Sequence, residues 1–156
     1  MTTNAIPEGY TSITPYLTLD DGTAAIEFYK RAFGATEHGL LTTPDGKVAH
    51  ASLKIGNAFI MLSDKFPQFV GQPPKEVGAT TVSIFLFVDD VDAVVKGAAE
   101  AGATILMEPE DQFWGDRMGQ VQDPFGHLWQ IATHVEDLTP EEIDARSRKV
   151  LSGMAR

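Results

Sequence analysis

The sequence has no cysteine among its 156 residues, which excludes a disulfide framework, a thiolate metal site and a cysteine nucleophile. That composition fits the reducing cytoplasm, the expected compartment. Positive charge is also scarce: 12 Lys and Arg stand against 22 Asp and Glu, a net charge of −10. Such a balance repels phosphate backbones and anionic lipid, so neither nucleic acid nor membrane is expected as a partner. No apolar run approaches the roughly 20 residues of a membrane span, and the opening MTTNAIPEGY lacks the basic start and apolar stretch of a secretory leader. GxGxxG, P-loop, GxSxG, HxH and HExxH patterns are missing too, which leaves nucleotide, esterase and simple zinc-site readings without support.

What is present is a repeat. ITPYLTLDDGTAAIEFYKRAFGAT and VSIFLFVDDVDAVVKGAAEAGAT align with a single one-residue slip, 69 residues apart in the strands and 68 at the closing GAT. In each half a short strand runs into Asp-Asp, where an aspartate caps a helix by accepting from its free N–H groups. Each helix is expected to end at a glycine, Gly34 or Gly102, which takes the left-handed conformation at least cost. Ile26, Tyr29 and Phe33 recur at helical spacing in the first half, and Val91, Val94, Val95 and Ala98 in the second. Three strand-like runs follow each helix, at 37–42, 48–55 and 58–63 and then at 104–107, 119–122 and 128–133. PDGK, GN and DPFG turns part them. Each half therefore reads βαβββ.

The reading is one α+β domain over 1–156: module one at 12–64, a linker at 65–80, module two at 81–134 and a C-terminal helix at 139–152. Pro67, Pro73, Pro74, Gly71 and Gly78 favour an irregular linker. Thr139, Pro140 and Glu142 form a capping box for the last helix, with basic residues near its end.

Strand side chains alternate between faces, so the apolar set of each strand should meet a helix and leave the other set together. Ile13, Leu17, Leu19, Leu53, Ile60, Leu62, Ile84, Leu86, Val88, Trp129 and Ile131 suit the helix side. Opposite them fall Thr14, Tyr16, His50, Phe59, Met61, Ser83, Phe85, Phe87 and Gln130. Aromatic walls with a few polar groups suit a small-molecule cavity. The plainer alternative is a filled core with its hydroxyls and amide satisfied internally. The segment EPEDQFWGDR offers Phe113, Trp114 and Arg117 as an aromatic and cationic lid, or, more simply, an Arg117 paired with Asp111 or Asp116.

With the repeat and the motifs PYLTL, AIEFYKRAFGA, AHASLKIGNAFIMLSD and FWGDRMGQVQDPFGHLWQIATH in hand, the chain resembles the vicinal oxygen chelate superfamily of glyoxalases, bleomycin-resistance proteins and extradiol dioxygenases, and within it PhnB-like proteins. The resemblance implies that the two βαβββ modules have curved mixed sheets enclosing a cavity, often with modules paired across a homodimer. It also implies a divalent metal held by one residue from each of four strands. Those positions fall on Thr14, Ser83, Gln130 and Met61, or Ile60 under a stricter turn alignment. Thr, Ser and Met are poor or unsuitable primary ligands for a hard or borderline ion, so no cofactor is expected and a divalent metal is disfavoured.

The expected function is sequestration of a small aromatic or hydrophobic compound in a pocket of Thr14, Tyr16, His50, Met61, Ser83, Phe85, Phe87, Trp114, Arg117 and Gln130. The alternative is a glyoxalase-type lyase or isomerase acting on a carbonyl or hemithioacetal, with His50 as general base because its ordinary pKa lies near neutrality. A ligand-free remnant with a closed cavity is the third reading.

Overall fold

The computed structural model describes residues 2–68 and 71–154. Its first module runs β1 (Tyr16–Leu19), α1 (Gly22–Phe33), β2 (Thr36–Thr42), β3 (Val48–Ile55) and β4 (Ala58–Asp64). After the linker, which holds a single helical turn, α2 (Pro74–Val77), the second runs β5 (Ser83–Phe87), α3 (Val91–Glu100), β6 (Thr104–Asp111), β7 (Asp116–Gln122) and β8 (Leu128–His134). A terminal helix, α4 (Pro140–Leu151), follows. Each module is a four-stranded mixed sheet, in the orders β1-β4-β3-β2 and β5-β8-β7-β6, with the first pair of each parallel and the others antiparallel. The sheets are not closed into a barrel.

Both main helices start where their aspartates place them. The Asp21 carboxylate accepts from the Ala24 N–H at 3.0 Å and Asp90 from the Ala93 N–H at 3.1 Å. Gly34 ends α1 with φ of 67°, but α3 closes on Ala101 in the right-handed region, with Gly102 one position later. A further difference lies in the second hairpin. Glu108–Asp111 belongs to β6 and Asp116–Arg117 to β7, so the acidic loop of the sequence reading shrinks to residues 112–115.

One core joins the modules. α1 packs against α3, and Tyr29 and Phe33 from module one meet Trp129 of β8 with ring centroids 5.4 and 4.6 Å apart. Phe125 of the DPFG turn closes edge-on to Phe28. Asp123 lies in this apolar setting, with 3% of its surface exposed. One of its oxygens accepts from the Tyr29 hydroxyl (2.6 Å) and the Trp129 indole N–H (3.0 Å), and the other from the backbone of Phe125 and His127. Four donors replace the water that the charge gives up, as a buried carboxylate requires. The His127 ring adds a second tie between modules by donating to the Thr18 carbonyl at 3.0 Å.

Because the helix-facing sides of both sheets converge on this core, their other faces turn outward, one on each module. Ile13, expected on the helix side, precedes β1 and is 84% exposed.

Candidate functional site

On the outer face of the first sheet, a hydrogen-bonded chain crosses three strands. The Tyr16 hydroxyl lies 3.2 Å from His50 Nδ1, and His50 Nε2 lies 3.1 Å from the Ser52 hydroxyl. A neutral imidazole donates from one nitrogen and accepts at the other, so this chain has two mutually exclusive directions of donation. Met61 sits between Tyr16 and Ser52 in register. Thr14 precedes β1, outside the sheet. At one end the N-terminal segment crosses the sheet, stacking Tyr10 on Phe59 with centroids 4.1 Å apart. At the other, a cleft of about 370 Å³ opens beside Tyr16, Thr18, Ser63 and Phe66.

The outer face of the second sheet is aromatic along β5, where the Phe85 and Phe87 rings lie 4.9 Å apart. They are 42% and 61% exposed, an unusual setting for phenylalanine. Beside them the Gln130 amide donates to the Ser83 hydroxyl at 2.7 Å. Met118 and Ala132 are buried here without joining the central core.

At the far end of that face stands a cluster that the sequence reading did not find. His134 Nδ1 lies 2.8 Å from the buried Asp116, whose second oxygen accepts from the Trp114 indole at 2.9 Å, and His134 Nε2 lies 2.7 Å from Asp137. Hydrogen bonding to Asp116, and then to Asp137, raises the His134 pKa above the ordinary histidine value. Only the imidazolium can donate from both nitrogens at once. A cleft of about 500 Å³ adjoins it, lined by Phe87, Val88, Asp89, Thr133 and His134.

Arg117 is placed differently. It alternates with Gly119 and Val121, on the helix side of β7, and grips both Asp92 oxygens on α3 at 2.7 and 2.9 Å, with Asp111 at 3.2 Å. Those hydrogen bonds hold the Asp92 carboxyl below its usual range and raise the guanidinium further. Its cation is therefore turned away from both outer faces. The remaining candidates divide into two sets, Tyr16, His50 and Met61 on one sheet and Ser83, Phe85, Phe87, Trp114 and Gln130 on the other. Among the described residues no hydrogen bond or ring contact joins the sets. A further cleft, about 780 Å³, lies elsewhere, over Phe28, Lys30, Arg31 and Phe125 in the groove between α1 and the DPFG turn.

Two modules of this topology, fused through their helices with their outer faces bare, match the model of the glyoxalase/bleomycin resistance protein/dioxygenase superfamily over residues 11–131. The chain belongs to that superfamily. An uncharacterized protein of Mycobacterium bovis is 45% identical over 137 residues, covering 86% of this chain and 90% of that one. Among solved structures, TioX from Micromonospora aligns with a TM-score of 0.64 and 28% identity over 80% of this chain and 99% of its own. A PhnB protein from Bacillus cereus shares the fold, with a TM-score of 0.59 and 18% identity over 79% and 99% of the two chains.

The superfamily's four-strand metal set does not fit the residues found at its positions. Gln130 offers a single neutral amide oxygen, Ser83 and Thr14 hydroxyls, the latter outside the sheet, and Met61 a thioether. Among the described residues no group of three or more His, Asp or Glu is arranged to hold an ion. No described helix is long and apolar enough to cross a membrane.

Proposed function

We propose that this protein sequesters a small aromatic or hydrophobic molecule, as the bleomycin-resistance branch of its superfamily does, in a pocket assembled by two copies of the chain. The observation that carries this reading is the bare aromatic surface of Tyr16, Phe85 and Phe87, set beside polar groups already ordered by Tyr16–His50–Ser52 and Ser83–Gln130 hydrogen bonds. Exposed aromatic patches of this kind serve binding rather than stability. Each outer face alone is a shallow half-site. Set against the opposite face of a second copy, Tyr16 and His50 from one chain would meet Phe85, Phe87, Trp114 and Gln130 from the other and exclude water from a ligand between them.

Sedimentation should give a homodimer, and titration with bleomycin and a panel of planar aromatic compounds should quench intrinsic fluorescence saturably. Phe85→Ala should weaken that binding at least about tenfold, the scale of losing one well-buried aromatic contact. A dimer that binds none of the panel would sink the reading.

The second reading is a glyoxalase-type lyase or isomerase, favoured by the His50 chain. With Nδ1–H donating to Tyr16, the basic lone pair of His50 lies on Nε2, and a substrate that displaces the Ser52 hydroxyl from it would present its proton on carbon next to a carbonyl to that nitrogen. Turnover of the methylglyoxal–glutathione hemithioacetal, lost by about a hundredfold or more in His50→Gln, would support it. Undetectable turnover removes it.

A further inference from the structure

We infer that the second sheet's outer face selects neutral planar heterocycles that carry a lactam or carboxamide edge, an adjacent N–H and C=O, through the row Phe85–Gln130–Gln120. This rests on the aromatic-ligand reading above and specifies the ligand class of that site. Register places the three side by side: Phe85 pairs with Gln130 across β5 and β8, and Gln130 with Gln120 across β8 and β7. All three belong to the outer face. Their chain neighbours Trp129, Ile131 and Val121 are core residues, and the missing side chain of Gly119 leaves room for Val95 of α3. Residues directly opposite in antiparallel strands have Cβ atoms about 5 Å apart, so the two carboxamides are within reach of one small ligand.

Their hydrogen bonding gives the row a polarity. The Gln130 amide nitrogen is committed to Ser83, which fixes its orientation and leaves its carbonyl oxygen as an acceptor. The Gln120 carboxamide has no hydrogen-bond partner among the described residues, so it retains both donor and acceptor. A lactam edge answers this pair: its N–H donates to the Gln130 oxygen and its C=O accepts from the Gln120 amide, while the ring lies against Phe85.

The same surface rejects anions. On β5, β8 and β7 no ionisable side chain shares this row or the rows on either side, Ser83–Leu128–Gln122 and Phe87–Ala132–Met118, and across β6 the charge opposite Met118 is the carboxylate of Glu110. The nearest charged pair on these strands, Asp116 and His134, stands four residues along, about 13 Å away. A carboxylate placed in the row would lose hydration without gaining a counter-charge, and would meet Glu110 as a like charge.

The full-length protein can be titrated with three probes of one ring system: 2-quinolone, which has the lactam edge, quinoline, which lacks the N–H and C=O, and quinoline-2-carboxylate, which is anionic. The dissociation constant of 2-quinolone should lie at least about tenfold below those of the other two, the worth of about one added hydrogen bond. Its binding should shift the side-chain amide resonances of Gln120 and Gln130. Gln120→Leu, at a partly exposed position, should erase the preference and leave quinoline binding in place, whereas Phe85→Ala should weaken both neutral probes. Equal affinities for 2-quinolone and quinoline, or a preference that survives Gln120→Leu, overturns the inference while leaving the aromatic-ligand reading standing. Binding of none of the three overturns both.

Discussion

The Tyr29 hydroxyl donates across the boundary between modules to Asp123, at 2.6 Å, in a site closed to solvent. Burial first, and then the neighbouring carboxylate, push the Tyr29 pKa well above the usual phenol value. Tyr29→Phe removes one of four donors from a buried charge and should cost about 1–3 kcal/mol. Asp123→Ala strands Tyr29 and Trp129 together and should cost more, about 3 kcal/mol or above. Denaturant unfolding measures both. The wild type should also lose stability as pH rises beyond about 10, because the unfolded phenol then releases its proton while the folded one holds it, and Tyr29→Phe should flatten that slope.

His134 carries the second pH signature. Its folded pKa is raised, so its contribution to stability is present below the unfolded value near 6.5 and is lost as pH climbs through the folded value. An NMR titration should find the imidazole still charged at a pH where an ordinary histidine is neutral. Asp137→Asn should bring that midpoint back toward 6.5, with Asp116 still in contact. A midpoint at or below the ordinary value would contradict the bridge.

Arg117 should be silent in ligand binding. Its fork is occupied by Asp92 and Asp111 on the helix side, so Arg117→Ala should leave the affinity of any outer-face ligand within about twofold, inside ordinary surface-substitution effects. A larger loss would mean that the side chain reaches the ligand.

Gly115 sets the turn that leads into β7. Its φ is +100°, its carbonyl accepts from the backbone of Val135 and Glu136, and an added methyl would run into the Glu136 carbonyl. Gly115→Ala should destabilise by about 2 kcal/mol or more, from backbone strain combined with the collision. The His134 resonances should shift with it, because the tail that carries Asp137 is held at the same point.

Much of this is legible in the sequence. The two DD caps, the βαβββ order and the alternation that separates Trp129 from Gln130 follow from local chemistry, and strands obey it because neighbouring side chains must face opposite ways. Arg117 meets the simpler of its two expectations by pairing with Asp111, and adds Asp92. The strand runs legible in the sequence begin at 119 and end at 133, whereas β7 starts at Asp116 and β8 ends at His134. Extending the parity by two positions from Gly119 puts Arg117 beside α3, and extending it by four from Gln130 puts His134 on the outer face. What parity cannot supply is the relation between the modules. That the outer faces look away from each other depends on Tyr29, Phe33 and Trp129 meeting across a distance of about a hundred residues of chain, a contact with no local signature.

Two repeats derived from one pattern could pair like with like, first against first or second against second. Asp123 forbids it. The matching turn of module one, at Gly56-Asn57, brings no carboxylate, and the helix of module two offers no tyrosine. Only first against second gives the buried charge its phenol. That carboxylate is thus the mark by which two look-alike halves tell themselves apart, and it leaves the outer faces of both sheets uncovered.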